Sequence, residues 1–235
     1  MSSRMTERLI AQLVETRTGS ARANVLEELR RLILSGGAPP GVQLPPGEIA
    51  DAFRVSPIPV REALKTLVGE GLVVHQRNSA YRVSQLSTEE LREIYFVRGT
   101  LEQAALAQAV TRIDAAGLDR ARRCHDDLVT AVKFNDRKAF HVISREFHRE
   151  LTEPCAMPRL LNMFNATWNL TEPFQVMRSV GTATQEALND DHATMLEAFA
   201  ARDSTALLEI AQIHHRRLES AIIETSAELH LRHDD

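Results

Sequence analysis

The sequence predicts a mainly α-helical chain in two parts: a small N-terminal unit of short helices closed by a β-hairpin, then a larger all-helical bundle. Three observations carry this. Between residues 44 and 83 a short helix, a tight turn, a second helix opened by Ser56-Pro57 and two short β-branched runs follow one another. Beyond Ser84 apolar residues recur at spacings of three and four, with no strand pattern as far as Leu231. Charge divides at the same place. Residues 1–84 carry 11 Lys/Arg against 8 Asp/Glu, and residues 85–235 carry 17 against 24. The first part can approach a polyanion and the second is repelled by one.

The elements follow in order. Residues 1–20 hold a short amphipathic stretch (Leu9, Ile10, Leu13, Val14) ending at Thr18-Gly19-Ser20, which reads as a poorly anchored arm or extra helix. From Ala21 to Leu34, Val25, Leu26, Leu29, Leu32 and Ile33 have helical period, and Gly36-Gly37 stop the helix. A short helix follows Pro45-Pro46-Gly47, with Ile49, Ala50 and Phe53 turned inward. Ser56 is a suitable N-cap, and Pro57 occupies the first helical position, where a missing N–H costs nothing. This second helix runs to Val68, with Val60, Ala63, Leu64, Leu67 and Val68 as its buried stripe. Leu72–His75 and Tyr81–Val83 read as a hairpin with Gln76–Ala80 at its tip. Helices are then predicted over 88–110, 114–133, 137–152, 157–177, 184–200 and 203–228. The domains expected are therefore 1–20, an arm; 21–84, a winged helix-turn-helix; and 85–235, an all-helical domain.

Composition narrows the function. No apolar run approaches the roughly 18 residues of a membrane span, and the N-terminus lacks a secretory h-region and cleavage site. Cys124 and Cys155 form no CxxC pair. A cytoplasmic protein without a disulfide framework is expected.

On the helix from Pro57, Ile58, Arg61 and Lys65 lie opposite the buried stripe. Such a helix can rest on a core and enter a DNA groove at once. Arginine pairs bidentately with guanine, and lysine does so or binds phosphate. Ser56 can offer its hydroxyl and N–H to a phosphate. Arg77 and Asn78, at the hairpin tip, are the natural groove or backbone contacts. The alternative is a solvated face, with Glu62 paired locally.

The segment PPGVQLPPGEIADAFRVSPIPVREALKTLVGEGLV resembles the winged-helix domain of the GntR family of bacterial transcription regulators. Val55, Ser56, Pro59, Val60, Arg61, Glu62, Ala63, Leu64, Glu70, Gly71, Leu72 and Val73 match its pattern in order. The resemblance implies homodimeric binding to palindromic double-stranded operator DNA, with Arg61 on the DNA and the wing tip in a minor groove. The chain departs at Pro57 and Gly47, where arginine is common, and at Ser79, where the wing tip usually has glycine.

In the helical half, His148, His192 and His214 sit on apolar stripes of three helices, while His215 shares a face with Glu219 and reads as more exposed. Each of the three fits a core histidine; together they also fit a shared metal, since imidazole suits Zn, Ni, Cu and Fe alike. Arg98 lies on the stripe of Leu91, Ile94, Leu101 and Ala105. A buried guanidinium needs a partner, either Glu102 or another acid of the bundle, or an effector carboxylate. Tyr95, Asn162, Asn165, Asn169 and Thr171 are candidate cavity residues, and Trp168 reads as core.

Residues 88–230 resemble the FCD effector domain of the FadR subfamily. The markers are Arg98, Leu101 and Glu102 (one residue tighter than the usual spacing), Phe147-His148, and His192 with His214, 22 apart, with Asp203 between. The resemblance implies a divalent transition metal such as Zn or Ni on His148, His192 and His214, and a fourth ligand at position 144. Ser144 stands there, a poor ligand that reaches an ion only through water. The function expected is a ligand-controlled DNA-binding regulator, with repression relieved by a small carboxylate metabolite. An enzyme is disfavoured: there is no HExxH, no second carboxylate at ligand spacing and no nucleophile–base pair. A constitutive DNA-binding protein with a structural metal is the other alternative.

Overall fold

The computed structural model describes residues 2–13, 19–76, 80–175 and 178–231. The chain forms two compact units, Met1–Leu86 with Asn169–Gln175, and Ser87–Trp168 with Val176–Asp235. The short segment 169–175 groups with the first unit rather than with the bundle.

In the first unit, α1 (Ser2–Gln12) precedes α2 (Ala21–Leu34), α3 (Pro46–Phe53) and α4 (Pro57–Gly69). The N-terminal stretch is a helix and is anchored: Leu9 is fully buried in the same core as Val25, Leu29, Ile49 and Leu64. Ser20 starts α2 by accepting the N–H of Ala23. The α3–α4 turn is made by Arg54, whose left-handed backbone (φ 52°) lets its N–H return to the end of α3. Arg30 of α2 binds Glu70 at the end of α4. This ties together two helices that already share an apolar interface.

The hairpin is β1 (Val73–Gln76) against β2 (Ala80–Val83), antiparallel with Val73 opposite Val83. Gln43 adds a bridge to Arg82, an extension that a single residue could not announce in sequence. On α4, Val60, Ala63, Leu64 and Leu67 are buried as expected, but Val68 is 36% exposed. It sits in the last turn of the helix.

The second unit contains α5 (Thr88–Ala109), α6 (Ala115–Lys133), α7 (Arg137–Thr152), α9 (Thr182–Ala200) and α10 (Ser204–Leu231); α8 (Pro158–Thr171) starts in it. Caps set the starts. Ser87 and Glu90 form a reciprocal capping box, and Asp114 and Asp136 each accept an N–H three residues on. Two short 3-10 turns, Glu153–Cys155 and Glu172–Phe174, follow α7 and α8 where Pro154 and Pro173 prevent continuation. The second ends a helix that the apolar pattern alone extends to 177. Packing pairs α6 with α7, α9 with α10, α5 with both α7 and α10, and α6 with α9. That places the inner faces of α5, α7, α9 and α10 around one interior. Among the described residues no helix is long and apolar enough to cross a membrane, and Cys124 and Cys155 are free thiols.

Candidate functional site

The interior of the second unit is polar where a helical bundle is normally apolar. α7 contributes His148, α9 His192 and α10 His214, each at most 2% exposed. Their ring centroids form a near-equilateral triangle of 5.0 Å (His148–His192), 5.1 Å (His148–His214) and 4.6 Å (His192–His214). One ligand nitrogen from each falls within 4.8 Å of the others. The Nε2 atoms of His148 and His192 face each other at 3.1 Å. Two nitrogens held about 2.0–2.1 Å from one ion lie roughly 3.0 Å apart at a right angle and roughly 3.4 Å apart at the tetrahedral angle. The observed separation lies in that interval, so the donor set fits a divalent ion. Ser144, one turn before His148, is buried on the same helix.

Outer groups orient this triad. Glu102, fully buried on α5, accepts from Nδ1 of His148 and, at 2.7 Å, from Nε2 of His215. Asp191 lies 3.5 Å from Nδ1 of His214 and is gripped by Arg217 at 2.9 and 3.2 Å. The His–Asp contact is at the outer edge of hydrogen bonding, and Nδ1 of His214 makes no full hydrogen bond. Nδ1 of His192 has no hydrogen-bond partner.

Burial, reinforced by the neighbouring imidazoles, holds His192 well below the ordinary histidine range. Burial likewise pushes His214 down to about 4, against the opposing pull of Asp191. Both rings are therefore neutral near pH 7, the form that binds metal. Burial alone would raise Glu102, but the charges and hydrogen bonds of His148 and His215 outweigh it and hold the carboxyl well below its usual range.

Arg98, four residues before Glu102, is 1% exposed. It makes no ion pair with Glu102 among the described residues, and Glu102 accepts from the two histidines instead. Instead its guanidinium lies between two rings, 4.2 Å from the Tyr95 centroid and 4.1 Å from that of Trp168. Its Nε has no hydrogen-bond acceptor. Trp168, expected as plain core, thus forms one wall of the site; it also lies 5.7 Å from His148. Asn165 is half-buried on α8 and Asn162 is exposed, while Asn169 and Thr171 group with the first unit. The structure brings together Tyr95, Arg98 and the triad.

The other candidate surface is α4. Ser56, Ile58, Arg61 and Lys65 are all exposed, Ile58 to 72%. Ser56 begins the helix, but its hydroxyl makes no capping bond. Pro59 at the third helical position has no N–H to give, which leaves only that of Ile58 for a cap. With Pro57 also lacking one, the first turn has fewer N–H groups for a phosphate than a usual helix start. Lys65 pairs with Glu62 at 2.8 Å, an exposed contact of little energy. Arg61 has no ion pair among those formed by described residues. Arg77 and Asn78 lie outside the described residues.

The sequence reading missed His215, Gly99, Asp191 and Arg217. The His214-His215 doublet placed one ring inward and suggested the other was outward. In the structure His215 is only 11% exposed, because Gly99 on α5 leaves room for its ring. A Cβ at Gly99 would stand 3.2 Å from it. A glycine inside a 22-residue helix was the available signal.

The chain is 26% identical over 197 residues to the gluconate operon transcriptional repressor of Bacillus subtilis (strain 168), covering 81% of this chain and 80% of that one. It is also 26% identical over 196 residues to the HTH-type transcriptional repressor GlaR of Escherichia coli (strain K12), covering 79% and 88%. The solved structure of E. coli McbR/YncC superposes with a TM-score of 0.76 at 22% identity, over 88% of this chain and 99% of that one, a likeness of fold. Residues 21–83 match the model for bacterial regulatory proteins of the gntR family, and residues 93–228 match the FCD domain. A winged reading head and a helical domain built around a polar interior belong together in that lineage: the chain is a DNA-binding transcription regulator of the GntR family, with an FCD domain as its helical half.

Proposed function

We propose that this regulator represses transcription as a homodimer on a palindromic operator and is released by a small carboxylate bound in the FCD domain. Ser56, Ile58, Arg61 and Lys65 of α4, with Arg77 and Asn78 of the wing, contact the DNA. His148, His192 and His214 hold a divalent transition metal such as Zn or Ni, and Arg98 anchors the effector carboxylate beside it. Once bound, the ion supplies positive charge and open coordination positions to carboxylate oxygens. The observation that carries this reading is a buried Arg98 with a bare Nε, held between the rings of Tyr95 and Trp168, with Trp168 in turn beside His148 of the triad. A buried cation lacking an anion is costly, and a carboxylate removes that cost. The names of two relatives support repression, and one of them is tied to gluconate, itself a carboxylate.

The site is closed: Arg98 and all three imidazoles are at most 2% exposed. Entry of an effector therefore requires the helices to part. That links occupancy to bundle packing, and so to the equilibrium between operator-competent and released forms. The same closure favours a second reading, in which the metal is structural and DNA binding is constitutive. Calorimetric titration separates the two. With the Zn-loaded chain, a small carboxylate binds, and Arg98→Ala and His192→Ala both weaken it. Binding unchanged in both variants removes Arg98 and the triad from the effector site, and absence of carboxylate binding by the wild-type chain supports the structural metal.

A further inference from the structure

We infer that His215 is a positioning residue of the metal centre, acting through Glu102 on His148; this rests on the metal reading above. Glu102 is 0% exposed. A carboxylate so placed needs donors at both oxygens. It has two: Nδ1 of His148 and Nε2 of His215 at 2.7 Å.

The first bond fixes chemistry. A proton on Nδ1 of His148, directed at Glu102, leaves Nε2 as the atom with the lone pair, and Nε2 is the atom that faces His192 at 3.1 Å. Carboxylates behind metal-binding histidines work in this way, fixing the tautomer and ring orientation and raising basicity.

The second bond fixes the carboxylate itself. Arg98 lies four residues before Glu102 on α5, the spacing at which helical side chains are neighbours. Without His215, the free oxygen of Glu102 has this guanidinium as its alternative partner. Movement in that direction pulls the carboxylate away from His148 and neutralises the anchor for the effector. His215 prevents both. Its place depends on Gly99, since any side chain there meets the His215 ring at 3.2 Å. Gly99, Glu102, His215 and His148 thus form one chain of contacts from α5 to α10 and back to the triad.

The test uses the full chain. Long-range proton–nitrogen NMR spectra of histidine-labelled, metal-free protein report the tautomer of His148, assigned by comparison with His148→Gln. Competition titration with Zn²⁺ reports affinity in the wild type, His215→Ala, His215→Gln and Gly99→Ala, and circular dichroism checks that each is folded. The expected results are an Nδ1–H tautomer at His148 and roughly a 10–100-fold loss of Zn²⁺ affinity in His215→Ala and Gly99→Ala. His215→Gln, whose amide can still donate to Glu102, restores most of that loss. An Nε2–H tautomer at His148 overturns the inference, as does a folded His215→Ala chain that binds Zn²⁺ as tightly as the wild type. If the wild-type chain takes up no Zn²⁺, the metal reading falls, and the tautomers of His148 in the wild type and His215→Ala decide whether His215 positions it.

Discussion

Individual residues divide into those that hold the fold and those that are costly to it. His214 belongs to the second kind. Its folded-state pKa of about 4 lies below the ordinary value near 6.5. Below pH 6.5 the unfolded chain takes a proton at this ring that the folded chain refuses until about pH 4. Stability is then full above pH 6.5 and falls as pH drops through that window. The size is on the order of 3 kcal/mol from this ring. Urea unfolding of the metal-free protein at pH 7.5, 6 and 5 should show the decline, with a shallower slope in His214→Gln; equal slopes would show that the ring is not buried neutral.

Ile58 is a different case, a large apolar side chain 72% exposed beside Arg61. In a major groove its natural partner is the thymine methyl. Replacing thymine by deoxyuridine in an operator selected from random DNA should weaken wild-type binding by about 1 kcal/mol at the contacted position. Ile58→Ala should be indifferent to the same replacement. Arg61→Ala should lose about 1–3 kcal/mol of operator affinity if it reads a guanine, measured by fluorescence anisotropy at fixed salt. The exposure of these positions was readable in the sequence because helical spacing separates the two faces of α4. The Glu102–His215 bond was not, because it joins side chains 113 positions apart through a gap that only Gly99 provides.

At the scale of elements, the two faces of α4 can be tested apart. Val60, Ala63, Leu64 and Leu67 are fully buried, and loss of Leu64 side-chain volume by Leu64→Ala should cost about 2–5 kcal/mol of stability in the first unit. Arg61→Ala should leave thermal unfolding nearly unchanged while weakening DNA binding. A combined effect on both would show that the outer face also supports the fold. α5 is the counterpart in the FCD domain. Its start is set by the Ser87–Glu90 capping box, and its inner face carries Tyr95, Arg98 and Glu102 in place of a continuous apolar stripe. The helix starts were legible, since Ser, Asp and Pro at caps and first turns have local causes. The ends of α8 and the 3-10 turns were less so, because a proline in an amphipathic pattern marks a break without saying which turn follows. The anchoring of α1 was hidden for a related reason: one buried leucine in a short helix is weak evidence until its partners are known.

At the scale of the whole molecule, the chain joins a DNA-reading head to a domain whose interior is unusually rich in ionisable groups. Such an interior is expensive, and a purely structural bundle would do better with hydrocarbon at His148, His192, His214 and Arg98. Its retention is what ties the FCD domain to ligand sensing in this account. The most direct test is operator binding by the full, Zn-loaded chain, titrated with small carboxylates and repeated in Arg98→Ala. The account predicts that a carboxylate weakens operator affinity by at least about 5-fold in the wild type, and that Arg98→Ala binds the operator normally but no longer responds. Release of the same size in both proteins, or operator affinity unmoved while a carboxylate is demonstrably bound, would contradict it.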